Sequence, residues 1–437
     1  ARLALPDPSK TVWFPGIDTI RHEGRRAKGF EYNIYNPEAK VGGKTMAEWL
    51  ALSFNLNDIS GSKIFSWSDK TRPMQKAVDR VYAAFELAQK LGMGQYNFSD
   101  DIAPIGATPE ESRQNLKEIV GLIKELQAKT GIQLSWGTTS FFDPIYKKGI
   151  NAQVLTEALA QVKATLEATK SLGGRNYTLT LLNARSKEER RLLAEFLKQV
   201  RDYARNELHF EGKLLIDPAE SSDVQSTFNF LREYKSFDDF ELSVGANRAT
   251  RAGRSLMSEL QAAANAKKLA ATVFDSSTHR DNVEILYQTA EAWLVMLPMG
   301  GLGTGAEELR TKIDPAASAE EIVNEYIYGI DSLARGLIIA YSMSRDPKYK
   351  GLLDERYKSF KTPEAQQFSA GKLGLEAQQA IARKDGYPTT LESSKYESFQ
   401  RLFAHHMDIA LRDFLNKQGS FQEPVAGARL SAKSLGQ

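Results

Sequence analysis

Asp101, Asp217 and Asp275 each follow a short apolar run, and Arg248 and Arg310 occupy the same kind of position. Carboxylates placed this way can hold a hard cation such as magnesium, which needs several oxygen ligands in near-octahedral geometry. A guanidinium cannot: it stays protonated, offers only donors and repels a cation. It can bind a phosphate or a carboxylate, yet no general base is evident beside either arginine. The histidines are His22, His209, His279, His405 and His406. His279 lies one loop beyond Asp275 and reads as a solvent-facing residue more readily than as a stray ligand. His405 and His406 are adjacent on a helical pattern, where neighbours face apart, so they make a poor metal pair. There is no cysteine, which excludes disulfides, zinc-thiolate sites and thiol nucleophiles.

The elements that must position these groups alternate regularly. Short apolar runs at Ala51–Leu56, Tyr96–Phe98, Gln133–Trp136, Tyr177–Leu181, Lys213–Asp217, Glu241–Val244 and Ala271–Phe274 read as strands. Amphipathic helical patterns separate them: Thr71–Leu91, Pro109–Lys129, Asn151–Ser171, Lys187–Glu207, Val224–Lys235, Arg254–Lys268 and Asp281–Leu297. A weak eighth strand falls near Gly301, and the helix Ala319–Ser344 follows. Such alternation predicts a parallel sheet, and eight units predict an α/β fold of the (β/α)8 TIM-barrel kind. Chemistry in such a barrel sits at the C-terminal strand ends. The glycine-rich run Gly300–Gly305 loosely matches a nucleotide loop but follows no convincing strand into a Rossmann unit.

With 437 residues the chain exceeds the roughly 250 of a typical barrel. We expect an N-terminal extension over residues 1–45, the barrel over 46–345, and a C-terminal helical arm and tail over 346–437. A net charge of +2 gives no nucleic-acid footprint. The mixed-charge runs Arg21–Lys28 and Lys187–Arg191 read as solvated faces. No apolar stretch reaches the 18 or so residues of a membrane helix, so a soluble protein is expected. The chain opens on Ala1, which leaves a removed targeting peptide open; the expected compartment is the cytoplasm or an organelle matrix, the mitochondrial one included.

A set of short motifs, colinear over most of the chain, resembles the xylose isomerase family in its longer-chain class. It begins with Phe14-Pro15-Gly16-Ile17, Tyr35-Asn36-Pro37 and Gly43-Lys44-Thr45-Met46. It continues through Ala103-Pro104, Trp136-Gly137-Thr138, Leu172-Gly173-Gly174 and Phe210-Glu211-Gly212. Ala246-Asn247, Gly300–Gly305, Ala334-Arg335-Gly336-Leu337 and Glu355–Ser359 complete it. The resemblance implies a TIM barrel and a metal-assisted hydride shift between aldose and ketose. It implies two divalent cations as Lewis acids, held by carboxylates and a histidine.

Against that pattern the sequence departs at the chemistry. The family's Glu-Pro-Lys reads Asp217-Pro218-Ala219, and its Glu-Ala-Asn-His reads Gly245-Ala246-Asn247-Arg248. The bridging glutamate is thus Gly245, the histidine ligand Arg248, and the substrate-polarising lysine Ala219. Asp275 keeps the next ligand position, while the ligand-bearing segment after it is missing. The last metal aspartate aligns with Arg310. The catalytic histidine aligns with Phe98 and its partner with Ser99, leaving Asp101. Two ligand positions survive, Asp217 and Asp275. Trp136 holds the place of a sugar-stacking wall and reads equally as a barrel-core tryptophan, which we favour.

These departures predict a degenerate member without a metal or other cofactor. Arg248 and Arg310 are expected to pair with Asp217 and Asp275 in place of the cations. The expected role is that of a catalytically inactive structural or interaction subunit. Its expected partners are further copies or a larger complex, joined through the C-terminal arm that the resemblance associates with oligomers. Residual binding of a sugar or anionic ligand is the alternative, and an active isomerase the outcome if the motif alignment is wrong.

Overall fold

The computed structural model describes residues 7–23, 30–63, 72–141, 146–147, 149–218, 222–252, 256–275, 282–347 and 350. A hairpin (β1, Lys40–Val41; β2, Lys44–Thr45) and a one-turn helix (α1, Met46–Trp49) lead into the barrel. Its strands are β3 (Ser53–Asn55), β4 (Gln95–Ser99), β5 (Gln133–Thr138), β6 (Asn176–Thr180), β7 (Lys213–Asp217), β8 (Glu241–Gly245), β9 (Leu269–Asp275) and β10 (Glu307–Arg310). They pair in sequence order, all parallel, and β10 closes on β3. The helices around them are α2 (Pro73–Leu91), α3 (Pro109–Thr130), α4 (Ala152–Ser171), α5 (Lys187–Asp202), α6 (Val224–Glu233), α7 (Ala246–Arg251), α8 (Leu256–Asn265), α9 (Asn282–Met296) and α10 (Ala319–Arg345). The expected (β/α)8 barrel is therefore present.

Local sequence explains where the helices begin and end. Thr108, Asn151, Ser186 and Asp223 each accept a backbone N–H from the first turn of the helix that follows, satisfying donors that have no intrahelical partner. Ser318 and Glu321 form a capping box at the start of α10. Gly92 and Gly131 end α2 and α3 in the left-handed region, where a Cβ would be strained.

The main core lies between strands and helices. Strand alternation sends Tyr96 and Phe98 outward into it and leaves Asn97 and Ser99 facing the barrel axis. A second cluster fills the axis itself: Trp136, Leu215, Ala270 and Ala271, with Val273 against them. These come from β5, β7 and β9, alternate strands, which is how layers inside such a barrel are built. An added Cβ at Gly137 would run into Thr169 Oγ1 of α4, so strand and helix meet there without room for a side chain.

Two expectations on the elements need correcting. The eighth strand is not near Gly301: Gly300, Gly301, Gly303 and Gly305 all have positive φ, and the strand starts after them at Glu307. The pattern read as one helix over Arg254–Lys268 ends earlier, at Asn265, in α8, and a separate helix, α7, precedes it. The C-terminal arm after residue 350, with His405 and His406, lies outside the described residues, as do His279 and Ala219.

The extension before the barrel is tied to it. Trp13 and Phe14 donate their backbone N–H groups to Glu86 of α2 at 3.1 and 2.6 Å. Asp331 of α10 accepts the consecutive N–H groups of Asn33, Ile34 and Tyr35 at 2.9–3.0 Å. Among the described residues no helix is long and apolar enough to cross a membrane.

Candidate functional site

The C-terminal strand ends form a mouth lined by acids and two arginines. Asp217 ends β7, and Arg248, the third residue of α7, reaches back to it with Nη1 2.9 Å from Oδ2. The same Nη1 donates to Pro218 O at 3.2 Å. Thr180 Oγ1, at the end of β6, donates to Asp217 at 3.4 Å. Burial pushes the Asp217 carboxyl up to about 6, and the positive charge of Arg248 limits the rise.

Arg310, on β10, does not reproduce that geometry with Asp275. Its Nη2 and Nε lie 3.1 and 3.4 Å from Asp58 Oδ1, and Nε lies 3.4 Å from Glu308 Oε1. Asp58 follows β3, and its other oxygen accepts the Thr311 N–H at 3.1 Å. Glu308 accepts from Asn97 Nδ2 and is also hydrogen-bonded by Asn55, so it is held from β4 and β3 as well. The Asp58 and Glu308 side chains are both only 3% exposed, against 45% for Arg310. Burial lifts Asp58 to about 6 and Glu308 to about 7, with Arg310 opposing in each case. Asp58 first, then burial and Glu308, set the balance at Arg310, and the net result raises its guanidinium pKa. Asp275 acts on Arg310 through its charge.

The remaining positions divide clearly. Asp275 is fixed through its backbone: its carbonyl accepts Asn247 Nδ2 at 2.8 Å, and its N–H donates to Asn247 Oδ1 at 3.2 Å. At Gly245 the nearest atoms a Cβ would meet are those of the Arg248 side chain at 3.7–3.8 Å, ordinary contact distance. The backbone does not demand glycine there, so a larger residue is not excluded by space. Asp101 accepts Asn57 Nδ2 at 2.7 Å.

Phe98 is not at the mouth. It is fully buried in the core beneath the helices, and the strand-end residue facing inward is Ser99. A shift of one residue swaps the faces of a strand. Phe98 therefore does not stand where the expectation placed it, and the residues at that strand end are Ser99 and Asp100. Asp100 accepts from Ser140 N and Oγ at 2.8 and 2.7 Å and from Gln161 at 3.1 Å. Trp136 is 4% exposed within the axial layer, which supports the barrel-core reading over a sugar wall.

Sequence reasoning did not connect Asp58 or Glu308 with Arg310. Glu308 carried a usable signal, since it lies two residues before Arg310 and so shares its face. Asp58 stands with Asn57 at the first strand end, where the family's pattern has a Trp-His pair, but its partner is 252 residues away in sequence.

The resemblance calls for two divalent cations, and the donors among the described residues do not fit them. Arg310 holds one oxygen each of Asp58 and Glu308, Thr311 N–H and Asn97 Nδ2 hold the other two, and Arg248 holds Oδ2 of Asp217. Among the described residues no group of three His, Cys, Asp or Glu converges as metal ligands.

Comparison with known proteins covers almost the whole chain. It is 31% identical over 433 residues to a xylose isomerase of Bacteroides thetaiotaomicron, spanning 90% of this chain and 99% of that protein. It is 34% identical over 440 residues to a xylose isomerase of Hordeum vulgare, spanning 92% and 91%. Xylose isomerase 2 of Xanthomonas campestris pv. campestris is 32% identical over 435 residues, spanning 90% and 97%. Residues 353–407 match the XylA2 C-terminal domain.

Proposed function

The chain belongs to the xylose isomerase family, and we propose that it serves there as a structural or interaction subunit, without isomerase activity. The observation that carries this is Arg310. It aligns with a metal aspartate of the family and sits within 3.1–3.4 Å of Asp58 and Glu308. A Lewis-acid step needs a dication where that fixed positive group now lies. Arg248 on Asp217 at 2.9 Å acts in the same sense at a second ligand position. Neither Ser99 nor Asp100 at the end of β4 is the histidine that would handle the sugar ring oxygen.

On this reading the barrel, residues 46–345, supplies shape and helical surfaces. The extension 1–45 fastens onto it, and the segment 346–437 supplies the contact with further copies or a larger assembly. The names of the relatives favour a second reading, a metal-dependent aldose–ketose isomerase. One assay separates the two: the purified full chain incubated with D-xylose and magnesium, manganese or cobalt. We expect no xylulose above the protein-free control. Metal-dependent turnover overturns the proposal.

A further inference from the structure

The strands of the barrel are not equally tied to one another. Six of the eight neighbouring pairs share a backbone register of three to five residues. The other two share only two residues each. Leu215 and Ile216 pair with Glu241 and Leu242 between β7 and β8, and Glu308 and Leu309 pair with Ser53 and Phe54 where β10 closes on β3. At the base of that second seam Gly305 N–H also donates to Ala51 O at 2.6 Å and Ser53 Oγ to Glu307 O at 3.4 Å, so it is the mouth end that lacks backbone bonds.

Each of these short seams carries one mouth arginine just beyond its last backbone pair. Past Leu309 and Phe54, Arg310 reaches Asp58 from the β10 side, and Thr311 N–H donates to the second Asp58 oxygen. Past Ile216 and Leu242, Arg248 reaches from the β8 side to Asp217 and to Pro218 O. Three longer seams are crossed at the mouth by uncharged donors instead: Asn57 to Asp101, Thr180 to Asp217 and Asn247 to Asp275. At the base of the β7–β8 seam Lys213 meets Glu241 at 3.1 Å, but Lys213 is 58% exposed, and water competes for such a pair. Asp58 is 3% exposed, so its charge-assisted bonds face little such competition.

We propose that Arg310 and Arg248 are clasps that hold shut, at the mouth, the two seams of the barrel with the shortest backbone register. This goes beyond the functional reading and does not depend on it; a barrel that isomerised a sugar would need the same two seams held.

The test is backbone hydrogen exchange by mass spectrometry on the full chain. Arg310→Met and Arg248→Met are compared with Arg191→Met, which removes the exposed Arg191–Glu188 pair on α5. Expected in Arg310→Met is at least tenfold faster exchange in peptides covering Leu56–Asp58 and Thr311, with β5 and β6 unchanged. In Arg248→Met the faster peptides cover Ile216–Asp217 and Leu242–Gly245. Arg191→Met leaves both seams at the wild-type rate. If Arg310→Met does not fold, Asp58→Asn removes the same charge pair with little change of volume and reads the same peptides. Unchanged seam exchange, or an acceleration spread evenly over all eight strands, overturns the proposal.

Discussion

Glu307 and Glu308 are neighbours on one strand and meet opposite surroundings. Glu308 turns inward to Arg310, whereas Glu307 turns outward and is 1% exposed. Burial raises the Glu307 carboxyl to about 8; the Leu302 N–H, its own N–H and the charge of Lys44 only moderate the rise. Its pKa in the folded chain therefore lies above the unfolded value, so the native state binds the extra proton. Stability must fall as pH rises through the interval between the two values, from about 4.5 to about 8. Glu307→Gln removes that dependence: in urea unfolding the variant should match wild type near pH 5 and exceed it in stability at pH 9, by an amount on the order of a few kcal/mol. Equal pH dependence of both proteins would count against this. At Arg310 the sign is reversed, because removing it strips two buried carboxylates of their cation. Arg310→Met should cost about 3 kcal/mol in urea unfolding at pH 7, the low end for breaking a buried pair, since Arg310 itself is 45% exposed. Adding Asp58→Asn should recover part of the loss, and strict additivity of the two would show that they do not interact. The pairing of Arg248 with Asp217 was legible in the sequence. The partner of Arg310 was not, because Asp58 reaches it only through the closure of the first strand on the last.

At the scale of elements, seven strands and the long helices follow from hydrophobic period and from capping residues such as Thr108, Asn151 and Ser318. The eighth strand did not. Glu307-Glu308-Leu309-Arg310 is mostly charged, and only the closed barrel explains how its acids come to be buried. The Phe98 position failed for a different reason: motif matching is blind to the one-residue offset that decides which face of β4 meets the axis. The N-terminal extension shows what a single side chain can do for a segment without regular structure. Asp331 lies in a stretch that reads as structural, and it binds three consecutive N–H groups of residues 33–35. Asp331→Ala leaves those donors unmatched, and we expect a loss of about 3 kcal/mol together with faster protease cleavage around residue 33. Asp331→Asn keeps one acceptor and should lie between. Cleavage kinetics identical to wild type would mean that the extension is held elsewhere, for example by Glu86.

At the scale of the whole molecule, the family assignment and the barrel were both readable in the sequence, the first from the ordered set of short motifs and the second from the alternation of apolar runs with amphipathic helices. On the proposed reading the segment after residue 345 serves assembly, and that is measurable directly. Native mass spectrometry should show the full chain as an oligomer or a member of a larger complex, and removal of residues 351–437 should return a monomer; a monomeric full chain would contradict the scaffold role. The claim on which the rest depends is that guanidinium groups occupy the electrostatic place of the family's dications. Manganese binding followed by electron paramagnetic resonance addresses it most directly. The account predicts no stoichiometric Mn2+ retained by the purified chain, and the contrary result would be one or two tightly bound Mn2+ ions per chain whose signal is lost in Asp217→Asn and Asp275→Asn.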